Sequence, residues 1–146
     1  MNEINKIAGT DYKPFNYYGN KKANKVIVAM GSVCETIKEY IDNTKEKIGL
    51  IEVHLYRPFS KKYFYDVLPK TVKKIVVLDR TKEFGSRPPL YLDVCELLKN
   101  SKIKVTGGRY GLSSKNTTPN QIKAVFESDE DDIILILSSN SIFPYT

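Results

Sequence analysis

The stretch KIVVLD at residues 74–79 constrains this chain more than any other. Ile75, Val76, Val77 and Leu78 follow one another without a polar break, the pattern of a strand covered on both faces inside a parallel sheet. Asp79 ends the run. Arg80, Thr81, Lys82 and Glu83 then form a polar loop at the strand's carboxyl end, where open α/β sheets gather their ligand or partner contacts. Parallel strands are joined by crossovers, usually helical, so the flanking sequence has to supply helices between strands.

It does so in order. KVIVAM at residues 25–30 reads as a buried strand, Gly31 turns the chain, and Ser32 with Glu35 makes an S-x-x-E capping box. Val33, Ile37, Tyr40 and Ile41 then share one helical face, and that helix runs out before Gly49. Residues 50–55 are the second strand, Ser60 is a cap, and Phe64, Val67 and Leu68 mark a short helix stopped by Pro69. After the third strand and its loop, Pro89 opens a helix whose buried face is Leu90, Val94, Leu97 and Leu98. Residues 102–106 are the fourth strand. The loop at residues 107–117 is long for a strand-to-helix connection; it closes on Thr118, Pro119 and Gln121, a second capping box, before the core positions Ile122, Val125 and Phe126. Residues 133–137 offer a fifth strand.

Four strand–helix alternations predict a three-layer α/β domain, a mostly parallel five-stranded sheet with helices on both faces joined by right-handed crossovers. The predicted boundaries are an arm or linker at residues 1–24, the domain at 25–137 and a tail at 138–146. The arm holds Tyr12, Phe15, Tyr17 and Tyr18, aromatics that need a surface to cover.

Composition narrows the function. Cys34 and Cys95 both fall in apolar helical patterns and read as small core residues, not as a metal or cluster site. No run approaches the roughly 18 apolar residues of a membrane span, and the amino end lacks a signal peptide's apolar core, so the expectation is a cytoplasmic protein without a membrane role. Glu127, Asp129, Glu130, Asp131 and Asp132 crowd into one short segment, leaving 12 of the 17 acids to face all 23 bases elsewhere. Because 19 of those bases are lysines spread along the chain, they read as a solvated face, and nucleic acid is not the expected partner.

The four arginines are distributed differently: Arg57, Arg80, Arg87 and Arg109 all fall in the predicted strand-to-helix loops, which share one edge of the sheet. Arginine's planar fork suits carboxylates, phosphates and interface ion pairs. Two readings stay open. The edge, comprising Gly31, Ser32, Arg57, Arg80, Thr81, Lys82, Glu83 and Arg109, binds a partner domain or an anion such as a CoA or nucleotide phosphate; or the arginines pair with Asp79, Glu83 and Asp93 to hold their own loops. Ser32 is read as a helix cap rather than a nucleophile, because the sole histidine, His54, reads as a packed strand residue and supplies no base. Asp79 is assigned an ion-pair role, and no catalytic residue is assigned.

Longer blocks carry a resemblance. VIVAMGS, GLIEVHLYRPFS, LPKTVKKIVVLDRTKE with PLYLDV, and GGRYGLSSK with TP and AVF follow in the order of core domain II of the pyruvate:ferredoxin (or flavodoxin) oxidoreductases, a domain resembling the carboxyl-terminal domain of transketolase. The resemblance runs from about Gly9 to about Glu127. It implies an internal module of a homodimeric enzyme that oxidatively decarboxylates pyruvate to acetyl-CoA with thiamine diphosphate and Mg, passing electrons through [4Fe–4S] clusters to ferredoxin or flavodoxin. It also implies that those cofactors sit on other domains, in keeping with the missing GDG motif and cysteine spacing. FGSRPPLYLDV after Glu83 and the last 20 residues depart from the family pattern.

Overall fold

The computed structural model describes residues 1–81, 84–111, 116–135 and 142–144. In chain order these form α1 (Asn2–Ala8), β1 (Phe15–Gly19), β2 (Lys25–Ala29), α2 (Val33–Asp42), β3 (Ile48–Val53), α3 (Lys61–Val67), β4 (Lys74–Asp79), α4 (Pro89–Leu98), β5 (Lys104–Arg109), α5 (Pro119–Glu127), β6 (Ile133–Leu135) and β7 (Ile142–Pro144). The seven strands make one sheet in the order β1-β3-β2-β4-β5-β6-β7. The five expected strands, β2 to β6, are the parallel ones. Two further strands flank them antiparallel: β1 against β3 and β7 against β6.

Both additions correct the sequence reading. Part of the stretch read as an arm is an edge strand, and two of its aromatics, Phe15 and Tyr17, find their surface at home, while Tyr12 and Tyr18 stay exposed. Phe15 is buried and packs edge-on against Phe59 and Phe64, at 5.2 and 5.4 Å between ring centroids. Part of the stretch read as a tail likewise pairs with β6, with Phe143 opposite Ile134.

β4 lies in the middle of the sheet, and all six of its residues are buried, as its unbroken aliphatic run requires. Alternate side chains feed two cores. Ile27, Leu50, Val76 and Leu78 meet Ile37 of α2 and Ile122, Val125 and Phe126 of α5 on one face. Val26, Val28, Ile75 and Val77 meet Phe64 of α3 and Leu90 and Val94 of α4 on the other. The three layers are thus helix, sheet and helix.

The last crossover departs from expectation. α5 shares its face with α2, yet β5 to β6 steps across the sheet in the opposite direction from β2 to β3, so the two connections have opposite hands. Those through α3 and α4, on the other face, agree with the first. A uniform hand is the strong default. Here the long connection between β5 and α5 gives the chain room to pass to the α2 face, where Phe126 stacks on Tyr40 at 5.9 Å.

At the amino ends of the strands, Lys25, Lys74 and Lys104 stand in register on three adjacent strands. Lys25 donates to the Phe126 carbonyl (2.9 Å), Lys74 to the Ser128 carbonyl and the Asp129 carboxylate (3.0 Å), and Lys104 to the Asp129 carbonyl (2.9 Å). These lysines cap the carboxyl end of α5, where unpaired carbonyls favour cations.

Candidate interface at the carboxyl edge

The loops after the parallel strands converge at the opposite edge. β2 and β4 are hydrogen-bonded neighbours, with Val28 beside Val77, while the chain leaves β2 toward β3 and β4 toward β5. This is the topological switch point, where the two departing loops leave a crevice. The Val28–Val77 register sets the loops that hold Gly31 and Ser32, and Arg80 and Thr81, at the same end of these neighbouring strands. Gly31 has a φ of +80°, which suits glycine. Ser32 caps α2 in helical backbone, but its side chain makes no capping bond, so the expected Ser32–Glu35 box is absent. The first turn closes instead through backbone bonds from Cys34 to Gly31 and from Glu35 to Ser32, and the Glu35 carboxylate turns to Lys38 at 2.9 Å. The second predicted box is present: Thr118 accepts from Gln121 N, and the Gln121 side chain accepts from Thr118 N.

Asp79 is the buried anchor of this edge. Its carboxylate accepts the backbone N–H of Thr81 at 3.0 Å and that of Leu90 at 3.1 Å. Leu90 is the second residue of α4, whose cap position is Pro88 and offers no side-chain acceptor. Asp79 thus caps α4 from across the loop, satisfying an orphan helix N–H and placing negative charge at the helix's positive end. The ion-pair role expected from sequence is replaced by backbone capping.

Three of the four arginines are committed within the chain. Arg57 lies over the Tyr56 ring, 3.9 Å from its centroid, and pairs with Asp93 of α4 at 2.8 Å. The Tyr56 hydroxyl donates to the same carboxylate oxygen at 2.7 Å, and burial with Asp93 pushes that phenol up to about 12. Arg87 packs on Tyr91 and pairs with Asp131 at 2.9 Å. Arg109 is the last residue of β5, not a loop residue, and its buried side chain pairs with Asp132 at 2.8 Å. Among the described residues no acid stands within ion-pair reach of Arg80, which is exposed. Lys82 and Glu83 lie outside the described residues.

β5 extends further than sequence indicated because its two glycines are strand residues. A Cβ on Gly107 would meet the Tyr91 ring at 2.8 Å, and one on Gly108 would meet Ile133 Cγ1 at 2.7 Å and Leu78 Cδ2 at 2.9 Å. They are packing glycines, not turn glycines. The stagger of β6, which meets β5 at Gly108 and Arg109, carries Asp131 and Asp132 to this end of β5. Asp131 also accepts the Gly107 N–H at 2.7 Å. Burial raises its pKa, but the Gly107 N–H and Arg87 outweigh that and hold it below the usual aspartate range. The sequence shows these acids as a crowded run without assigning them partners; its position just before a short apolar strand was the available signal.

The remaining reactive groups stand apart from this edge. His54 is exposed beyond β3, not packed within it, with Nε2 3.3 Å from Glu52. Cys34 on α2 and Cys95 on α4 lie on opposite faces of the sheet; burial pushes the Cys34 thiol up to about 12 and raises Cys95 as well. Cys34 is buried, but Cys95 is only partly so. Among the described residues no three of His, Cys, Asp and Glu come together as a metal site, so a cluster or divalent ion finds no fitting donor set there.

Known proteins match this arrangement. Residues 23–122 fit the family model of pyruvate:ferredoxin oxidoreductase core domain II. The chain is 48% identical over 134 residues to a pyruvate-flavodoxin oxidoreductase of Enterobacter agglomerans, covering 88% of this chain and 11% of that protein. It is 49% identical over 134 residues to a pyruvate:ferredoxin oxidoreductase of Moorella thermoacetica, with the same coverage. A solved 2-oxoglutarate:ferredoxin oxidoreductase from Magnetococcus marinus, with 2-oxoglutarate, coenzyme A and succinyl-CoA bound, shares the fold at a TM-score of 0.50 and 20% identity over 86% of this chain and 22% of its own. The chain therefore spans about a ninth of the relatives' length, and it belongs to the pyruvate:ferredoxin oxidoreductase core domain II family.

Proposed function

We propose that this chain is a structural and interface module of a pyruvate:ferredoxin or flavodoxin oxidoreductase, and that its carboxyl edge seats it against other domains of that enzyme. The parent reaction is oxidative decarboxylation of pyruvate to acetyl-CoA, in a homodimer that hands electrons to ferredoxin or flavodoxin in the cytoplasm. Thiamine diphosphate, Mg and [4Fe–4S] clusters belong to the remainder of that enzyme, and no catalytic residue is assigned here.

The observation that carries this reading is the internal neutralisation of the edge. Arg57, Arg87 and Arg109 are each held by an aspartate of the same chain, so the loops form a braced, charge-matched surface. Such a surface suits a protein neighbour. The competing reading, an anion-binding edge for CoA or nucleotide phosphate, loses Arg57 and Arg109 to these pairs and retains only Gly31, Ser32, Arg80 and Thr81, with Lys82 and Glu83 undetermined.

Two measurements test the proposal. The isolated chain is expected to show no pyruvate- and CoA-dependent dye reduction. Hydrogen exchange at residues 79–81 and 30–32 is expected to slow when the module sits in the full-length oxidoreductase. Turnover by the isolated chain, or unchanged exchange at this edge, refutes it; calorimetric heat with CoA or pyrophosphate would favour the anion reading.

A further inference from the structure

The amino-terminal unit carries an apolar face that the fold leaves open. α1 buries none of its residues, and Ile4 and Ile7 are 60% and 89% exposed. Seven residues are too few for a helix to persist in water by its own propensity. This one is braced by polar bonds instead. The Asn5 side-chain Oδ1 accepts from the Tyr12 N–H (2.9 Å) and the Thr10 hydroxyl (3.0 Å), and its Nδ2 donates to the Tyr12 backbone carbonyl (2.9 Å). Gly9, at a φ of +64°, closes the helix. The shape is thus held by hydrogen bonds while the isoleucines contribute nothing to this chain's core.

Between α1 and α3 runs a groove of about 820 Å³, with Ile4, Tyr12, Leu55, Tyr63 and Val67 among its apolar walls. Its charged rim is acidic. Asp11 is matched by Lys13 at 2.8 Å, but Glu3 and Asp66 have no cation within ion-pair reach among the described residues. That is unexpected on a chain of net charge +6.

We infer that this groove seats a segment of the same oxidoreductase lying outside this chain, apolar along its length and carrying lysine or arginine at its flank. The inference rests on the interface reading above. Two observations select the occupant. Nearly nine-tenths of the length of the Enterobacter agglomerans and Moorella thermoacetica relatives lies beyond the part this chain matches, so most neighbouring surface belongs to the same polypeptide. The acidic rim attracts a cationic flank and disfavours a second copy of this chain, because a two-fold contact through this groove would set Glu3 and Asp66 against their own equivalents.

The test compares hydrogen exchange in the isolated 146-residue chain with the same module inside the full-length oxidoreductase. Peptides of α1 and α3 are expected to exchange at least tenfold more slowly in the full-length enzyme. Ile4→Asp, and separately Glu3→Lys combined with Asp66→Lys, are expected to abolish most of that slowing while leaving the isolated chain's melting temperature unchanged, because all three positions are exposed. If the carboxyl edge is protected and the groove is not, the groove inference falls and the interface reading stands. If neither is protected, both fall. If the isolated chain dimerises in light scattering and Ile4→Asp abolishes that, the choice of occupant is wrong.

Discussion

Asp79→Ala is the substitution that most directly interrogates this fold. The carboxylate is 5% exposed and takes two backbone N–H groups, one of which, on Leu90, is buried. Removing it leaves the buried helix donor on Leu90 unsatisfied, at about 1–3 kcal/mol, and deletes the bond to Thr81 N–H, at about 1 kcal/mol. The expected loss is therefore about 3 kcal/mol, a large share of the roughly 5–15 kcal/mol that holds a domain folded. With a urea slope on the order of 1.5 kcal/mol per molar, the unfolding midpoint should fall by about 2 M. Asp79→Asn keeps one acceptor oxygen and should fall by about half as much, whereas an ion-pair role would make the two variants equivalent. Urea melts followed by circular dichroism give the midpoints, and amide exchange at Leu90 reports the lost bond itself. A midpoint within about 0.3 M of the native chain, or full protection of Leu90 in Asp79→Ala, would refute capping across the loop.

Lys74→Met removes the donor that holds the Ser128 carbonyl and the Asp129 carboxylate; an expected loss of about 1–3 kcal/mol in the same urea assay would separate a buried clamp from a solvated lysine. Gly108→Ala drives a Cβ into Ile133 and Leu78 and is expected to cost about 1–3 kcal/mol, with Ile133→Val in the same chain recovering part of it; a neutral effect would show that the β5–β6 pairing is looser than described. Asp131 titrates lower in the folded chain than its ordinary 3.8, through the Gly107 N–H and Arg87. A depressed folded value gives stability that is complete above the unfolded pKa and is lost as pH falls through the folded one. The native chain should therefore lose more stability than Asp131→Asn does as pH falls through the ordinary 3.8 and below it, measured as midpoint against pH; parallel profiles would remove Asp131 from the account.

How much of this was legible before the structure depended on whether a signal was local. The buried run of β4 and the Thr118–Gln121 box follow from neighbours along the chain, and both stand as read. Gly107 and Gly108 misled because a glycine pair ordinarily signals a turn; only Tyr91, Leu78 and Ile133, brought up by other elements, explain it as packing. Phe15 and Tyr17 misled for the same reason. Their partners in α3 and β3 lie more than thirty positions away, so the alternation of an edge strand had no local cue beyond its aromatics. Ser32 and Glu35 show the converse, a local pattern left unused: Ser32 takes helical backbone without a side-chain cap bond, and Glu35 pairs with Lys38 instead.

The acidic run resolves what the charge count left open. Taken as composition, five acids and a basic remainder suggest two separate electrostatic surfaces. In the fold, Asp129 lies against Lys74, and Asp131 and Asp132 reach Arg87 and Arg109. The short strand β6 makes this possible, because its pairing with the end of β5 delivers the preceding aspartates to the arginine edge while the end of α5 stays over the lysines. One segment thus neutralises both ends of the sheet. A polyanion would have to compete with aspartates already in place at Arg87 and Arg109, whereas a protein neighbour meets loops whose charges are matched and whose geometry is set. Among the described residues, that leaves Arg80, beside the switch-point crevice, as the arginine with no acid in ion-pair reach. An Arg80→Glu substitution should weaken the module's seating in the parent enzyme without moving its own melting temperature; a fall in that temperature would show Arg80 to be one more internal brace.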